Sequence, residues 1–338
     1  MVTKNSRRHG VAILFLVMVS MLFVLFMPTG AAFGKTITIS ILMANDNRQN
    51  TVDGLKNVLA EHATKEKHTY VYTVKNADGD RKKLSDLSKE IINAKPDVAI
   101  SSGGIESDAL LVASAGTDIP VVFLSVSSSV NRGIVASMAS SGNNFTGIET
   151  NDTQLTAKRL WFIRKMLPNA KKIFCFHVPS IVPSVESIAV ARKAASELGF
   201  ELLVAQVESE TDIRKATAKL SKANVDVILQ LPVAPIDRAL GSIIFPKAQA
   251  EKIPIFGYGS NSIKNGAFAS YAGSRYANGQ QAARLVHKIV NGIAPKDIPV
   301  ETPETLELVI NRDLTKKLGL NLPSRVWRMA DQIVDIQF

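Results

Sequence analysis

Short strands that are apolar along most of their length recur through this chain, and a segment of helical periodicity follows each one. TITISILM (36–43), VAIS (98–101), VVFLSV (121–126), KKIFCFHV (171–178), VDVILQLP (225–232) and IPIFGYG (253–259) are of this kind. A strand with one face in water alternates apolar and polar residues, whereas a strand buried on both faces does not. Such strands, separated by helices of about 10–15 residues, imply parallel sheets covered by helices on both sides. Between them, 50–66 carries Val52, Leu55, Val58 and Leu59 on one face, and the helix after Asp78-Gly79-Asp80 carries Leu84, Leu87 and Ile91. Helices are also expected near 106–115, 154–167, 184–198, 236–250, 275–290 and 312–318, with Thr211-Asp212 capping one that runs to about 222.

The alternation breaks once. Residues 127–150 are rich in Ser, Gly and Asn and read as a lobe boundary. It then restarts, which implies two similar lobes. AFASYAG (267–273) reads as a strand crossing back and LELVI (306–310) as a late strand. A chain of 338 residues is long enough for two cores of ordinary size.

The start of the chain has the form of an export signal. Lys4, Arg7 and Arg8 precede an uncharged apolar run from Val11 to Met27, Pro28 and Gly30 break it, and Ala32-Phe33-Gly34 offers small residues for cleavage. Residues 1–34 are therefore expected to be a signal peptide or, uncleaved, a membrane anchor. The expected location is the periplasm or another extracytoplasmic space. No cysteine stands beside the end of the run, so a lipoprotein anchor is not expected. Cys175, the only cysteine, cannot form an intrachain disulfide and reads as a buried strand residue. The net charge of +10 is spread over amphipathic segments without an arginine-rich stripe, so nucleic acid is not the expected partner.

No catalytic motif is present: no GxSxG, HExxH, P-loop or GxGxxG occurs. His62, His68, His177 and His287 do not form a metal-ligand pattern by spacing, and no metal or cofactor is expected. Open α/β sheets bind ligands beyond the carboxyl ends of their strands. That edge selects Asn45 and Asp46, then Ser102, Gly103 and Gly104, then Ser127 and Ser128, then His177 and Ser180, and finally Ala234 and Tyr258. These are mostly short polar or turn-forming residues, suited to hydrogen bonding a ligand rather than to proton transfer or covalent attack. Two roles stay open for several of them. Gly103 and Gly104 serve a tight turn or open a helix start toward an anionic group. Asp46 binds an amine or caps a turn. His177 faces the cleft or makes a structural hydrogen bond. Tyr258 stacks on a ligand or lines a hinge.

Taken in order and spacing, IPVVFLSV, NNFTGIE (143–149), KRLWFIRKMLPNAKKI (158–173), ARKAASELG (191–199) and ELVINRDLTKKLGLNLPSRVWRMADQIV (307–334) resemble the ABC transporter substrate-binding proteins of tryptophan/tyrosine-type uptake systems. The resemblance runs from about Thr36 to the end. It implies the type I periplasmic-binding fold: two Rossmann-like lobes with parallel sheets, joined by a hinge of several crossings. The expected lobes are 35–150 with 272–305, and 151–271 with 306–338. It also implies a non-enzymatic protein that holds a small ligand, an amino acid or related molecule, and docks on a membrane permease driven by an ATPase. By position, ligand contacts fall near Asn45, Gly103, Gly104 and Ser128 in one lobe and Ser184, Ala234 and Tyr258 in the other. The sequence departs from the family where Gly104 replaces Thr, Ser128-Ser129 replaces Asp-Pro, Pro183-Ser184 replaces Asn-Ser, and Ala234 stands near an expected Asp. Those departures point equally to a less polar solute and to a sensor of the same fold; a secreted hydrolase is the weaker alternative.

Overall fold

The computed structural model describes residues 34–338, so the expected signal segment, apart from Gly34, lies outside the described residues. Two sheets organise it. The first contains β1 (Thr36–Met43), β2 (Thr69–Asn76), β3 (Val98–Ser101), β4 (Val121–Val126) and β5 (Phe145–Glu149) in the order β2-β1-β3-β4-β5, all parallel. Its inner strand β1, flanked by β2 and β3, is buried over its last five residues, as the unbroken apolar run requires. The second sheet is β12-β11-β10-β9-β8-β6-β7, formed by β6 (Lys172–His177), β7 (Glu201–Gln206), β8 (Val227–Leu229), β9 (Ile255–Gly257), β10 (Ala269–Gly273), β11 (Leu306–Asn311) and β12 (Gln332–Val334). Only β10 and β11 run antiparallel in it.

Helices cover both sheets. α1 (Gln49–Glu66), α2 (Arg81–Asn93) and α3 (Gly104–Ala113) belong to the first. α4 (Leu155–Met166), α5 (Val182–Glu197), α6 (Glu210–Ala218), α7 (Ala234–Ala239), α8 (Phe245–Ala250) and α9 (Ser260–Lys264) belong to the second, and α11 (Arg312–Lys317) and α12 (Ser324–Met329) close the chain beside it. α10 (Arg275–Val290) returns to the first sheet, where Ala282, Ala283, Leu285 and Val286 join the core of Ile39, Ile41, Val52, Leu55 and Leu59. α10 and α1 approach closely. A methyl carbon built on Gly279 would lie 1.9 Å from the Thr51 carbonyl oxygen, and one on Gly54 would lie 2.1 Å from that of Tyr276.

The structure departs from the sequence expectations at several places, each with a local cause. The polar stretch after β4 is not the boundary between lobes. It is an excursion of the first lobe that leads into β5, the last strand of the first sheet. The expected helix over 236–250 is broken into α7, a π-helical turn at Leu240–Ile244 and α8. Phe245 N–H donates to the Leu240 carbonyl, five residues back. Pro246 has no N–H to donate, which removes one ordinary helical bond at that point. α6 is capped by Ser209 rather than Thr211; Ser209 and Asp212 form a reciprocal capping box. Asp80 caps α2, accepting from Lys82 N–H at 2.7 Å and Lys83 N–H at 3.0 Å.

Three connections join the two sheets: β5 to α4, β10 to α10, and the segment 300–306 leading into β11. They run side by side. Glu149 N–H donates to the Glu301 carbonyl at 2.8 Å, and Ser274 N–H to that of Thr305 at 3.0 Å. Gly273 sits so close to Pro303 that an added Cβ would meet its ring at 2.9 Å. Asn151, at φ 51, takes the left-handed backbone that turns the first connection.

Candidate functional site

A cleft of about 490 Å³ opens where the carboxyl ends of the two sheets face each other, and both lobes line it. Its organisation follows from a few buried anchors. Glu106, in the first turn of α3, is fully buried. One of its oxygens accepts from Ala44 N–H (3.0 Å), Ser102 Oγ (2.9 Å) and Arg48 Nε (2.9 Å). This ties the end of β1 to the end of β3 and holds the Arg48 guanidinium at the cleft wall. The carboxylate keeps Arg48 charged: its pKa is raised despite burial, which alone would lower it. Gly103 makes the pose possible, because a Cβ there would lie 2.6 Å from the Arg48 guanidinium carbon.

Across the cleft, Tyr258 Oη donates to Asp237 Oδ2 at 2.5 Å and Gln230 Nε2 donates to Oδ1 at 2.8 Å. Burial pushes the Asp237 carboxyl up to about 6, against the pull of those donors and of Arg275 and Arg48. At the hinge, Arg159 is wholly buried. Its guanidinium donates to the Asp152 carbonyl (2.6 Å), to Asp152 Oδ1 (2.7 Å) and to the Tyr271 carbonyl (2.8 Å). One side chain therefore ties the first connection to strand β10. Arg132, paired with Asp108, and Arg275 complete the charged lining together with the exposed Arg81.

Of the residues expected in the site, Gly104, Ser127, Ser180, Ala234 and Tyr258 line this cleft. Asn45 lines a smaller adjoining cavity of about 130 Å³, which shares Arg48, Ala234, Asp237, Tyr258 and Arg275 with the main one. Asp46 is turned away and accepts from Asn76 Nδ2 at 2.7 Å. Ser102 is buried on Glu106, and Gly103 backs Arg48 rather than facing the cleft. Ser128 has a left-handed backbone, φ 62. Its N–H and that of Ser129 donate to the buried Glu149 carboxylate at 2.7 and 2.6 Å, and its hydroxyl bonds Glu186 of α5. Asn131 bonds the same carboxylate, so Glu186 links the lobes. His177 and Ser184 are paired with each other, Nδ1 to Oγ 3.0 Å, and Ser184 also caps Val178 N–H. Both are buried in the second lobe, consistent with the structural role that the sequence left open for His177. Tyr258 does not offer a bare ring, since its hydroxyl is fixed on Asp237.

Sequence reasoning missed Arg48, Arg132, Arg159, Asp152, Asp237 and Arg275. Asp237 lies only three residues beyond Ala234, so the second lobe does supply a carboxylate near the position where the family's Asp was expected. For Arg159 the available signal was spacing: it lies three or four residues from Thr156, Phe162 and Ile163, on the buried face of α4. The cleft is correspondingly richer in charge than those departures suggested. Away from it, α1 and α10 bring together histidines far apart in sequence. His287 Nε2 bonds Glu66, His68 Nε2 lies 3.3 Å from the same carboxylate, and the His62 ring packs against His287 at 4.7 Å. Among the described residues no such group is arranged to hold a metal ion, and no helix is long and apolar enough to cross a membrane. Cys175 is fully buried in β6, and burial pushes its thiol pKa up, away from reactivity.

Two lobes of parallel α/β architecture around a lined cleft define a ligand-binding protein of the type I periplasmic-binding class. Residues 36–334 match the family model described as ABC transporter substrate binding protein, and the chain belongs to that family. It is a transport-associated binding protein, not a catalyst. A protein named as tyrosine-binding from Clostridioides difficile is 25% identical over 291 residues, covering 85% of this chain and 81% of the relative. The crystal structure of a conserved domain protein from Vibrio cholerae is similar at TM-score 0.77 and 25% identity, over 89% of this chain and 100% of the other. A Streptococcus pneumoniae domain crystallised with L-Trp shares the fold at TM-score 0.77 and 22% identity, over 88% of this chain and 100% of that one.

Proposed function

We propose that this protein is exported, captures a small amino acid or related solute between its lobes, and presents it to a membrane permease of the ABC type. The observation that carries this reading is the cleft itself: about 490 Å³, at the carboxyl edges of both sheets, with polar groups contributed from each lobe. The family relation and the tyrosine-binding and L-Trp-bound relatives support the class of ligand. The signal-like N-terminus supports export.

Native mass spectrometry of protein purified without unfolding tests the reading. A retained small molecule, displaced on dilution, is the expected result. Small-angle scattering should then show the lobes closer together with that molecule than without it. Identical profiles at saturation would refute closure on the ligand.

A further inference from the structure

The charged groups of the cleft are unequally matched. Arg48 has Glu106 behind it, Arg132 has Asp108, and Asp152 has Arg159 behind it. Arg275 has no carboxylate within 4 Å among the described residues; it faces Asp237 from beyond that distance. Asp237 is already accepting from Tyr258 and Gln230. The lining itself carries four arginines, Arg48, Arg81, Arg132 and Arg275, against three carboxylates, Asp108, Asp152 and Asp237. Arg48 meets Glu106 only through Nε, so its terminal nitrogens are not committed to that carboxylate.

The arginines occupy space that glycine leaves. A Cβ on Gly104 would be 3.1 Å from the Arg132 guanidinium, and one on Gly103 would be 2.6 Å from that of Arg48. A threonine at 104, which the family resemblance led one to expect, would crowd Arg132. Arg132 thus stands over the first turn of α3, whose peptide dipoles add to the positive potential. Opposite, Ile181, Val182, Pro183 and Pro232 make a short aliphatic wall. Tyr258 is the one aromatic ring among the described lining residues, and it is fixed by its hydroxyl. Asn278, 1% exposed, lines the cleft with its carbonyl oxygen unpartnered. A buried acceptor without a donor is unfavourable, and a hydroxyl or amino group on a ligand would satisfy it.

We propose that the cleft selects a small, net-negative carboxylic acid bearing a hydroxyl or amino group, a hydroxy-dicarboxylate or an acidic amino acid, in preference to an aromatic zwitterion. The inference rests on the cleft being the solute site. The excess charge at Arg275, with the free ends of the Arg48 guanidinium, receives a carboxylate. The Asn278 carbonyl receives the hydroxyl or amine, and the aliphatic wall covers a short carbon skeleton.

Titration calorimetry of the purified chain with L-malate, L-glutamate, L-leucine and L-tyrosine tests this. Malate or glutamate is expected to bind at least tenfold more tightly than leucine and tyrosine, with affinity falling as salt rises. Arg275→Gln is expected to weaken the acid by about 10- to 100-fold, the range for a lost charge-assisted hydrogen bond, while the melting temperature without ligand is unchanged. Tighter binding of leucine or tyrosine, or unchanged acid affinity in R275Q, would overturn the inference and leave the binding-protein reading intact. Failure of all four probes would overturn it as well. The mass retained in the native protein, and closure on it by scattering, then decides the broader reading separately.

Discussion

Gly279→Ala adds one methyl group where α10 crosses α1. In an isolated helix that change is favourable by about 1 kcal/mol, because alanine restricts the unfolded backbone and propagates helix better. Here the methyl carbon would stand 1.9 Å from the Thr51 carbonyl oxygen and 2.8 Å from the Leu55 nitrogen, both backbone atoms that cannot rotate aside. Ordinary contact begins near 3.4 Å, so the helices must part by about 1.5 Å along that line. A gap of 0.5–1 Å already forfeits about a quarter to a half of the dispersion attraction between facing atoms. The atoms concerned are those of Val52, Leu55, Ala282 and Ala283, all fully buried. Overpacking of this kind costs roughly 1–3 kcal/mol and occasionally more; a backbone-to-backbone clash belongs at the upper end. After the gain in helix propensity, a net loss of about 2 kcal/mol is expected, or roughly 3 °C in melting temperature for a chain of this size. Scanning calorimetry of G279A against wild type measures it, with Ala60→Gly on the exposed face of α1 reporting propensity alone. A melting temperature at or above wild type for G279A would show that the two helices are not in the close contact from which the magnitude is worked.

Arg159→Met leaves Asp152 without its buried partner and should cost about 3–5 kcal/mol; a wild-type urea midpoint would rule out that role for the guanidinium. Glu186→Ala removes the carboxylate that Ser128 and Asn131 bind from across the cleft. Its radius of gyration without ligand should rise with little change in melting temperature, and an unchanged scattering profile would count against Glu186 as an interlobe link. Acidification should weaken the α1–α10 end. Burial and His287 hold the His62 pKa below its ordinary 6.5, and His287 holds Glu66 below 4.5. In both cases the unfolded chain binds the proton more readily, so stability is full above the unfolded pKa and is lost as pH falls through the folded one. The melting temperature should therefore decline from pH 7 toward pH 5, less steeply in His62→Gln; identical pH profiles for variant and wild type would dismiss His62.

The parallel sheets were legible because β1, β3, β4 and β8 are buried on both faces and cannot hide that in their composition. Local chemistry was legible too: Asp80 announces the start of α2. The role of the turn-rich stretch within the first lobe was not. The turn-rich loop after β4 has the composition of a linker, and only its pairing partner shows that β5 still belongs to the first sheet. The cleft was half legible. The strand-edge rule reached the backbone positions around Gly104, Ser127 and Tyr258 but stopped short of Arg48, Asp237 and Arg275, which enter from flanking helices and turns. The histidine cluster was invisible, because His62 and His287 meet only once α1 and α10 are packed.

Three adjacent connections have a mechanical meaning. A single peptide tether leaves two bodies free to swivel, slide and twist against each other. Three chains laced side by side by Glu149–Glu301 and Ser274–Thr305 hydrogen bonds, the first tied to β10 by Arg159, resist all of these except bending about the line they share. Any relative motion of the lobes is thereby confined close to one degree of freedom. The outer faces of the two lobes, where a membrane partner would have to grip both, can then differ between open and closed states only by a single angle.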